Sequence, residues 1–99
     1  MAHVVVWSPR AIDDVDAIAA FIALDSEAYA ASVVRIILEK ARRLSEFPYI
    51  GREVPEFGVS EIREVFAYSY RIIYRVDANE VTIAAVIHGK RDLGVAIDP

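Results

Sequence analysis

The feature that most constrains the fold is a pair of apolar runs in the C-terminal half of the chain. The runs are YRIIYRV and VTIAAVIH, and the polar stretch DANE lies between them. β-Branched and aromatic residues dominate both runs, which is typical of strands, and the polar residues between them favour a hairpin turn. The sequence therefore predicts two antiparallel strands, near residues 68–76 and 80–88.

The register of this hairpin predicts two chemically different faces. If residues 77–80 close the turn, Val76 lies opposite Val81 and Tyr70 lies opposite Ile87. One face is then apolar and suits helix packing: it carries Tyr70, Ile72, Tyr74, Val76, Val81, Ile83, Ala85 and Ile87. The other face carries Arg71, Ile73, Arg75, Thr82, Ala84, Val86 and His88.

A third strand is predicted at residues 61–66, where apolar and charged residues alternate. Directing Ile62 and Phe66 towards the helices turns Arg63 to the face of the two hairpin arginines. Two interpretations of these cations stay open from the residues alone. They are either the solvated side of an amphipathic sheet or a binding site, since the planar fork of arginine suits phosphate and carboxylate groups.

The N-terminal half predicts one strand and a helical hairpin. Val4 to Trp7 is a short β-branched and aromatic run, and Ser8-Pro9 is a typical helix start. Apolar residues at helical spacing predict a helix over 9–24 and, after an N-cap at Asp25-Ser26, a second helix that continues to Phe47. The first strand is expected to join the sheet of the other three.

The resulting element order is β-α-α-β-β-β, with a structured loop at residues 47–58 that contains two prolines and two glycines. This order predicts an α+β fold in which a helical hairpin packs on one face of a small antiparallel sheet. Asp13, Asp14 and Asp16 are attributed to favourable charge near the helix start rather than to a metal site.

Composition narrows the class of protein. The 99 residues suit a single domain over 1–99, and the absence of cysteine excludes disulfides and thiolate metal sites. No apolar run approaches the roughly 18 residues that span a bilayer, so no membrane association is expected and the predicted location is cytoplasmic. A net charge of −4 disfavours nucleic-acid coating through overall charge. The mean hydropathy of +0.33 indicates apolar surface left for a partner.

In these residues the sequence resembles the RelE/ParE superfamily of toxins from bacterial type II toxin–antitoxin systems, of the plasmid-stabilisation type. The resemblance rests on WSPRAIDDVDAIAAFI, FPYIGREVPE, IREV, YRIIYRV and VIHGKRDL, in this order along nearly the whole chain. It implies the β-α-α-β-β-β fold and a cognate antitoxin, encoded by an adjacent gene, that wraps the toxin. It also leaves a homo-oligomer or a toxin–antitoxin heterotetramer open, and it implies no cofactor and no metal.

The resemblance implies one of two activities. RelE-like members cut mRNA in the ribosome, which needs a base, an acid and cations for the phosphorane. That activity would place Arg71 and Arg91 as phosphate stabilisers and His88 as the proton-transfer group. ParE-like members poison DNA gyrase. In either case the set that would contact phosphate or the target is Arg63, Arg71, Arg75, Lys90 and Arg91.

Departures from the RelE-like pattern favour the ParE-like activity. The chain is acidic, it ends in LGVAIDP without a tyrosine or terminal histidine, and Glu64 and Val65 stand where lysines are expected. The leading hypothesis is therefore a ParE-like toxin that binds a target such as gyrase. A ribosome-dependent endoribonuclease and an inactive antitoxin-binding domain are the alternatives.

Overall fold

The computed structural model describes residues 2–89, which form two helices on one side of a five-stranded sheet. The predicted α+β fold with its helical hairpin is confirmed. The one addition is a two-residue strand within the predicted loop. The elements are β1 (Val4–Trp7), α1 (Pro9–Ala23), α2 (Glu27–Arg43), β2 (Arg52–Glu53), β3 (Ile62–Ala67), β4 (Tyr70–Val76) and β5 (Glu80–His88).

The strands lie in the order β1-β5-β4-β3-β2. Strands β2 to β5 pair antiparallel with their neighbours, and β1 pairs parallel with β5. The first strand therefore joins the same sheet, as predicted. It also forms one edge of that sheet, with β2 at the other. Within the described residues, neither helix is long and apolar enough to cross a membrane.

Both helices begin at the predicted residues because a serine caps each of them. The Ser8 and Ser26 hydroxyl oxygens accept hydrogen bonds from the main-chain N–H groups of Ala11 and Tyr29, each at 3.0 Å. The second helix ends at Arg43, earlier than predicted. Pro48 disfavours helical backbone at the residue before it, and the chain already turns at residues 44–46.

The main core lies between the helices and the sheet. From the sheet it takes Tyr74, which is fully buried, together with Ile72 and Ile83, and from α2 it takes Val33 and Ile37. Trp7 and Val5 of β1 pack against its margin. The predicted helix-facing residues of β4 are therefore in place.

The register of the β4–β5 hairpin differs from the prediction beyond Ile83. Tyr74 pairs with Ile83 but Ile73 pairs with Ala85, so the intervening Ala84 forms a β-bulge. Because one extra residue reverses the alternation, Ala85 and Ile87 lie on the face turned away from the helices. Val86 and His88 lie on the helix side, so the prediction that His88 shares the arginine face is wrong.

Strand β3 presents the opposite faces to those predicted. Val65 and Ala67 pack against the main core, whereas Ile62 packs in a second apolar cluster on the far face. The prediction assumed that the larger residues Ile62 and Phe66 would face the helices. Arg63 consequently lies on the helix side of the sheet and not beside Arg71.

Two side chains of the α1 region bind the bulge. The Ser8 hydroxyl donates to the main-chain oxygen of Ala84 at 3.0 Å, and the Asp14 Oδ2 accepts from the Val86 N–H at 2.9 Å. The first turn of α1 contains no acidic residue, so the attribution of this aspartate to charge at the helix start is wrong. It instead satisfies a strand N–H group beyond the end of β1.

Candidate functional site

The face of the sheet turned away from the helices, here called the outer face, is only partly open. Val54 and Phe57 from the segment after β2 pack over Ile73, which is 1% exposed, and over Ala85. These contacts explain why the outer face of the hairpin is too apolar for a solvated surface. They also place the loop beside Arg71.

An ion-pair cluster of four residues occupies the outer face: Arg52, Glu56, Glu64 and Arg71. The Arg71 Nε donates to Glu64 Oε1 at 2.6 Å, and its two terminal nitrogens donate to the two oxygens of Glu56 at 3.0 Å each. The Arg52 Nε donates to Glu64 Oε2 at 2.6 Å. All three nitrogens of Arg71 therefore have carboxylate partners, with the fork geometry that also suits phosphate.

The members of this cluster differ in burial. Glu64 is 1% exposed and Arg71 is 5% exposed, whereas the Arg52 side chain is mostly in solvent. The hydrogen bonds from Arg71 hold the pKa of the Glu56 carboxyl below its usual value. The same contacts, first with Glu56 and then with Glu64, raise the pKa of Arg71.

Arg63 holds the loop before β2 rather than facing solvent. Its guanidinium donates to the main-chain oxygens of Ser60 and Gly51, each at 2.8 Å, and stacks over the Tyr49 ring at 4.8 Å from the centroid. Gly51 itself must be glycine, because an added Cβ would come within 2.5 Å of the Glu64 main-chain oxygen. The Gly51 N–H donates to the buried Tyr74 hydroxyl, whose pKa burial raises.

The remaining predicted site residues are dispersed. Arg75 lies on the outer face with a mostly exposed side chain and an ion pair of 3.4 Å to Asp77. His88 lies on the helix side, where its ring meets Tyr70 edge-on at 5.8 Å between centroids. Lys90 and Arg91 lie outside the described residues. Within residues 2–89, Arg71 and Arg75 are thus the only predicted site residues that the structure places on the outer face, while Arg63 and His88 lie on the helix side.

Sequence reasoning missed two members of the ion-pair cluster. It also placed Glu64 on the wrong face, with Ile62 and Phe66 towards the helices, whereas the structure pairs Glu64 with Ile73 on the outer face. Arg52 and Glu56 belong to a loop without periodicity, so no spacing relates them to the sheet. Only the fold of that loop brings Glu56 over Arg71.

A cavity of about 330 Å³ opens beside this cluster, between the end of α2 and the edge strand β2. Lys40 and Arg43 of α2 and Arg52 of β2 line it, with Ile50 and Phe66 as apolar walls. This arrangement can attract anions. Within residues 2–89, no group of three histidine, cysteine or acidic residues is placed to hold a metal ion.

Three solved structures share this fold. The chain superposes with a TM-score of 0.72 on a protein of the chromosomal ParDE toxin–antitoxin system of P. aeruginosa, at 22% identity, covering 88% of this chain and 96% of that chain. It superposes with a TM-score of 0.63 on a chain of the RelBE2 toxin–antitoxin complex of Mycobacterium tuberculosis, at 21% identity, covering 89% and 99%. The YoeB dimer of Staphylococcus aureus also gives 0.63, at 17% identity, covering 89% and 98%.

The sequence itself carries the family assignment. No curated protein matches it. The family described as the ParE toxin of the type II toxin–antitoxin system parDE matches residues 5–93, which is nearly the whole chain. This match agrees with the two helices on a mostly antiparallel sheet and with the resemblance noted in the hairpin and loop motifs. The chain therefore belongs to the ParE toxin family of type II toxin–antitoxin systems.

Proposed function

We propose that this ParE-family toxin arrests growth by binding a protein target, with DNA gyrase as the candidate, and that it does not cut mRNA. The observation that carries the proposal is the set of contacts made by the Arg71 guanidinium. This residue is the arginine of YRIIYRV that a RelE-like mechanism would use for phosphate, and its guanidinium is bound by Glu64 and Glu56.

Phosphate chemistry on the outer face would meet two obstacles. A scissile phosphate would have to displace Glu56 from both terminal nitrogens of Arg71. It would also approach the carboxylate of Glu64, which stands where a RelE-like toxin is expected to carry a lysine. Because buried like charges repel strongly, the cluster disfavours a second anion at this position.

The proton-transfer group of a nuclease is also displaced. His88 is the residue that the endoribonuclease alternative would use for proton transfer. It lies on the helix side of β5, while Arg71 lies on the outer face of β4. A sheet separates the two groups, so they do not share one phosphate. This separation supports target binding over RNA cleavage.

A cognate antitoxin is the proposed partner that silences the toxin. Large apolar side chains are exposed where the two helices meet: Phe21 is 73% and Leu24 is 84% exposed. Nearby on α2, Tyr29 is half-exposed and meets Tyr68 at 6.0 Å between ring centroids. Such a patch suits the apolar side of an amphipathic partner helix, and a ParDE system is among the structural relatives.

The test is controlled expression in bacteria, with gyrase and translation measured in parallel. We expect growth arrest, induction of the DNA-damage response and loss of supercoiling by purified gyrase, with cellular mRNA left intact. Co-expression of the adjacent antitoxin gene should restore growth.

The opposing outcomes are distinct. Cuts in mRNA at the ribosomal A site, with gyrase unaffected, would establish the endoribonuclease alternative and contradict the proposal. Harmless expression together with antitoxin binding would identify an inactive antitoxin-binding domain. Growth arrest without either effect would exclude gyrase as the target.

A further inference from the structure

Strand β1 is an edge strand whose outward hydrogen-bonding groups are identifiable. Val4 and Ser8 donate to the main-chain oxygens of Asn79 and Ile83, so the even-numbered residues direct their groups towards β5. By strand alternation, Val5 and Trp7 direct their N–H and C=O groups to the free edge. The main-chain groups of His3, which precedes β1, also point to this edge but are already bound. The His3 N–H donates to the Ser45 main-chain oxygen at 2.8 Å, and the His3 C=O accepts from the Ser45 hydroxyl.

Apart from its length of four residues, the edge carries none of the usual protection against strand pairing. Its sequence is VVVW, without a charge, a proline or a bulge. On the outer face Val4 is 63% and Val6 is 38% exposed. Apolar side chains next to unpaired main-chain groups are the features that a further strand recognises.

The helix side of the same edge is also apolar. Two adjoining cavities, of about 360 and 400 Å³, share Trp7 and Leu38 as lining residues. The first also contains Arg42, and the second contains Asp16 together with apolar residues of both helices. The groove along β1 is therefore basic towards its His3 end and acidic near Trp7.

We propose that two copies of this chain associate through β1, paired antiparallel about a twofold axis at Val6. In this register Val5 of one copy faces Trp7 of the other, and each pair exchanges two main-chain hydrogen bonds. The two Val6 side chains meet at the axis. His3 then falls opposite Pro9, which has no N–H group, so the contact between His3 and Ser45 is preserved.

Charge complementarity favours a second copy as the occupant. Antiparallel pairing brings the Arg42 end of one groove to the Asp16 end of the other, and the twofold axis repeats the contact. Both side chains are exposed. Neither takes part in an ion pair within residues 2–89. This association does not depend on the toxin's target.

The test is sedimentation of the purified chain over a range of concentrations, with charge-reversal variants. We expect a dimer whose dissociation constant rises about tenfold in Arg42→Asp and in Asp16→Arg, because each change places like charges together. The double variant Arg42→Asp/Asp16→Arg should return to within about threefold of the parent. Asp13→Arg, an exposed change on the same helix outside both cavities, should leave dimerisation unchanged.

A main-chain variant tests the strand pairing itself. Val5→Pro removes an N–H group that points away from β5, so the ladder within the chain keeps its hydrogen bonds while the dimer loses two. Circular dichroism with thermal unfolding verifies the fold of each variant. A chain that stays monomeric up to about 100 μM overturns the proposal, as does a dimer that neither Val5→Pro nor the charge reversals weaken. If the chain is monomeric and Val5→Pro instead weakens antitoxin binding, the edge receives a partner strand and the proposal is wrong.

Discussion

At the scale of single residues, Glu64 determines the character of the outer face. It lies between two guanidinium groups, at 2.6 Å from the Nε of Arg52 and of Arg71. Burying a charge is costly unless partners and hydrogen bonds compensate, and here both carboxylate oxygens are bound. The sequence departs from the RelE-like pattern at this residue, and the structure gives the departure a physical role. Glu64 neutralises part of the charge of Arg71, the residue that a RelE-like mechanism would use for phosphate.

Removing the charge of Glu64 should destabilise the protein. Glu64→Gln retains the size of the side chain but leaves Arg71 buried with only Glu56 as a charged partner. We expect the free energy of unfolding to fall by about 3 kcal/mol, as for other broken buried ion pairs. Urea denaturation measures this change. Glu61→Gln, at an exposed position just before the same strand, should change the free energy by less than about 0.5 kcal/mol. Equal stabilities of the two variants would contradict the role given to Glu64.

The pH dependence of stability should report the contact between Glu56 and Arg71. The pKa of Glu56 lies below its ordinary value of 4.5 in the folded chain, so the unfolded chain binds the proton more readily. The stabilising contribution is therefore full above about pH 4.5 and is lost as the pH falls through the lower folded pKa.

We expect the difference in unfolding free energy between the parent chain and Glu56→Gln to shrink as the pH is lowered below 4.5, the ordinary value for this carboxyl. Urea denaturation between pH 3 and 7 measures the difference. Glu53→Gln, an exposed change in β2, is the control and should show no such trend. A difference that stays constant over this range would show that the Glu56 carboxylate contributes no charge-dependent stability.

At the scale of elements, helix α1 binds the irregular part of the central hairpin. The β-bulge at Ala84 turns Val86 and His88 to the helix side, and Asp14 binds the Val86 N–H there. The Arg10 side chain, one turn earlier, donates to the same carboxylate at 2.9 Å. The Asp14 carboxylate thereby accepts a hydrogen bond from the Val86 N–H, which has no strand partner because β1 ends opposite Ile83.

Loss of this helix–strand contact should destabilise the bulge. Asp14→Ala leaves the Val86 N–H without its acceptor, which should lower the free energy of unfolding by about 1–3 kcal/mol. Asp14→Asn keeps an acceptor oxygen and should lose less. Hydrogen exchange of the Val86 amide, measured together with urea denaturation, checks both expectations. The neighbouring exposed change Asp13→Ala is the control. Unchanged exchange in Asp14→Ala would show that the bulge does not need the carboxylate.

At the scale of the whole molecule, charge and apolar surface are distributed separately. The chain carries a net charge of −4, yet Lys40, Arg43 and Arg52 gather at one cavity beside the sheet edge. Exposed apolar residues lie elsewhere, at the α1–α2 turn and along β1. The apolar patch proposed for an antitoxin helix, the basic cavity and the edge strand proposed for a second copy are thus separate surfaces. The total charge alone gives no indication of this division.

The α+β fold and the limits of most elements follow from the sequence, because they depend on local signals. Serine caps begin both helices, and runs of β-branched and aromatic residues favour strands. Face assignments along β5 and β3 fail for a different reason. A single bulge at Ala84 reverses every later side chain of β5, and the second apolar cluster under Val54 and Phe57 makes either orientation of β3 favourable.

What the sequence determined by itself is the element order, the helical hairpin and the family resemblance, which rest on period, capping and short motifs. The tertiary structure alone decided the environment of Arg71. Its partner Glu56 comes from a loop without periodicity, and its accessibility depends on how that loop covers the sheet. Periodicity fixes which side a residue faces only while the register is regular. The contacts that neutralise a charge are made by segments distant along the chain, and only packing brings them together.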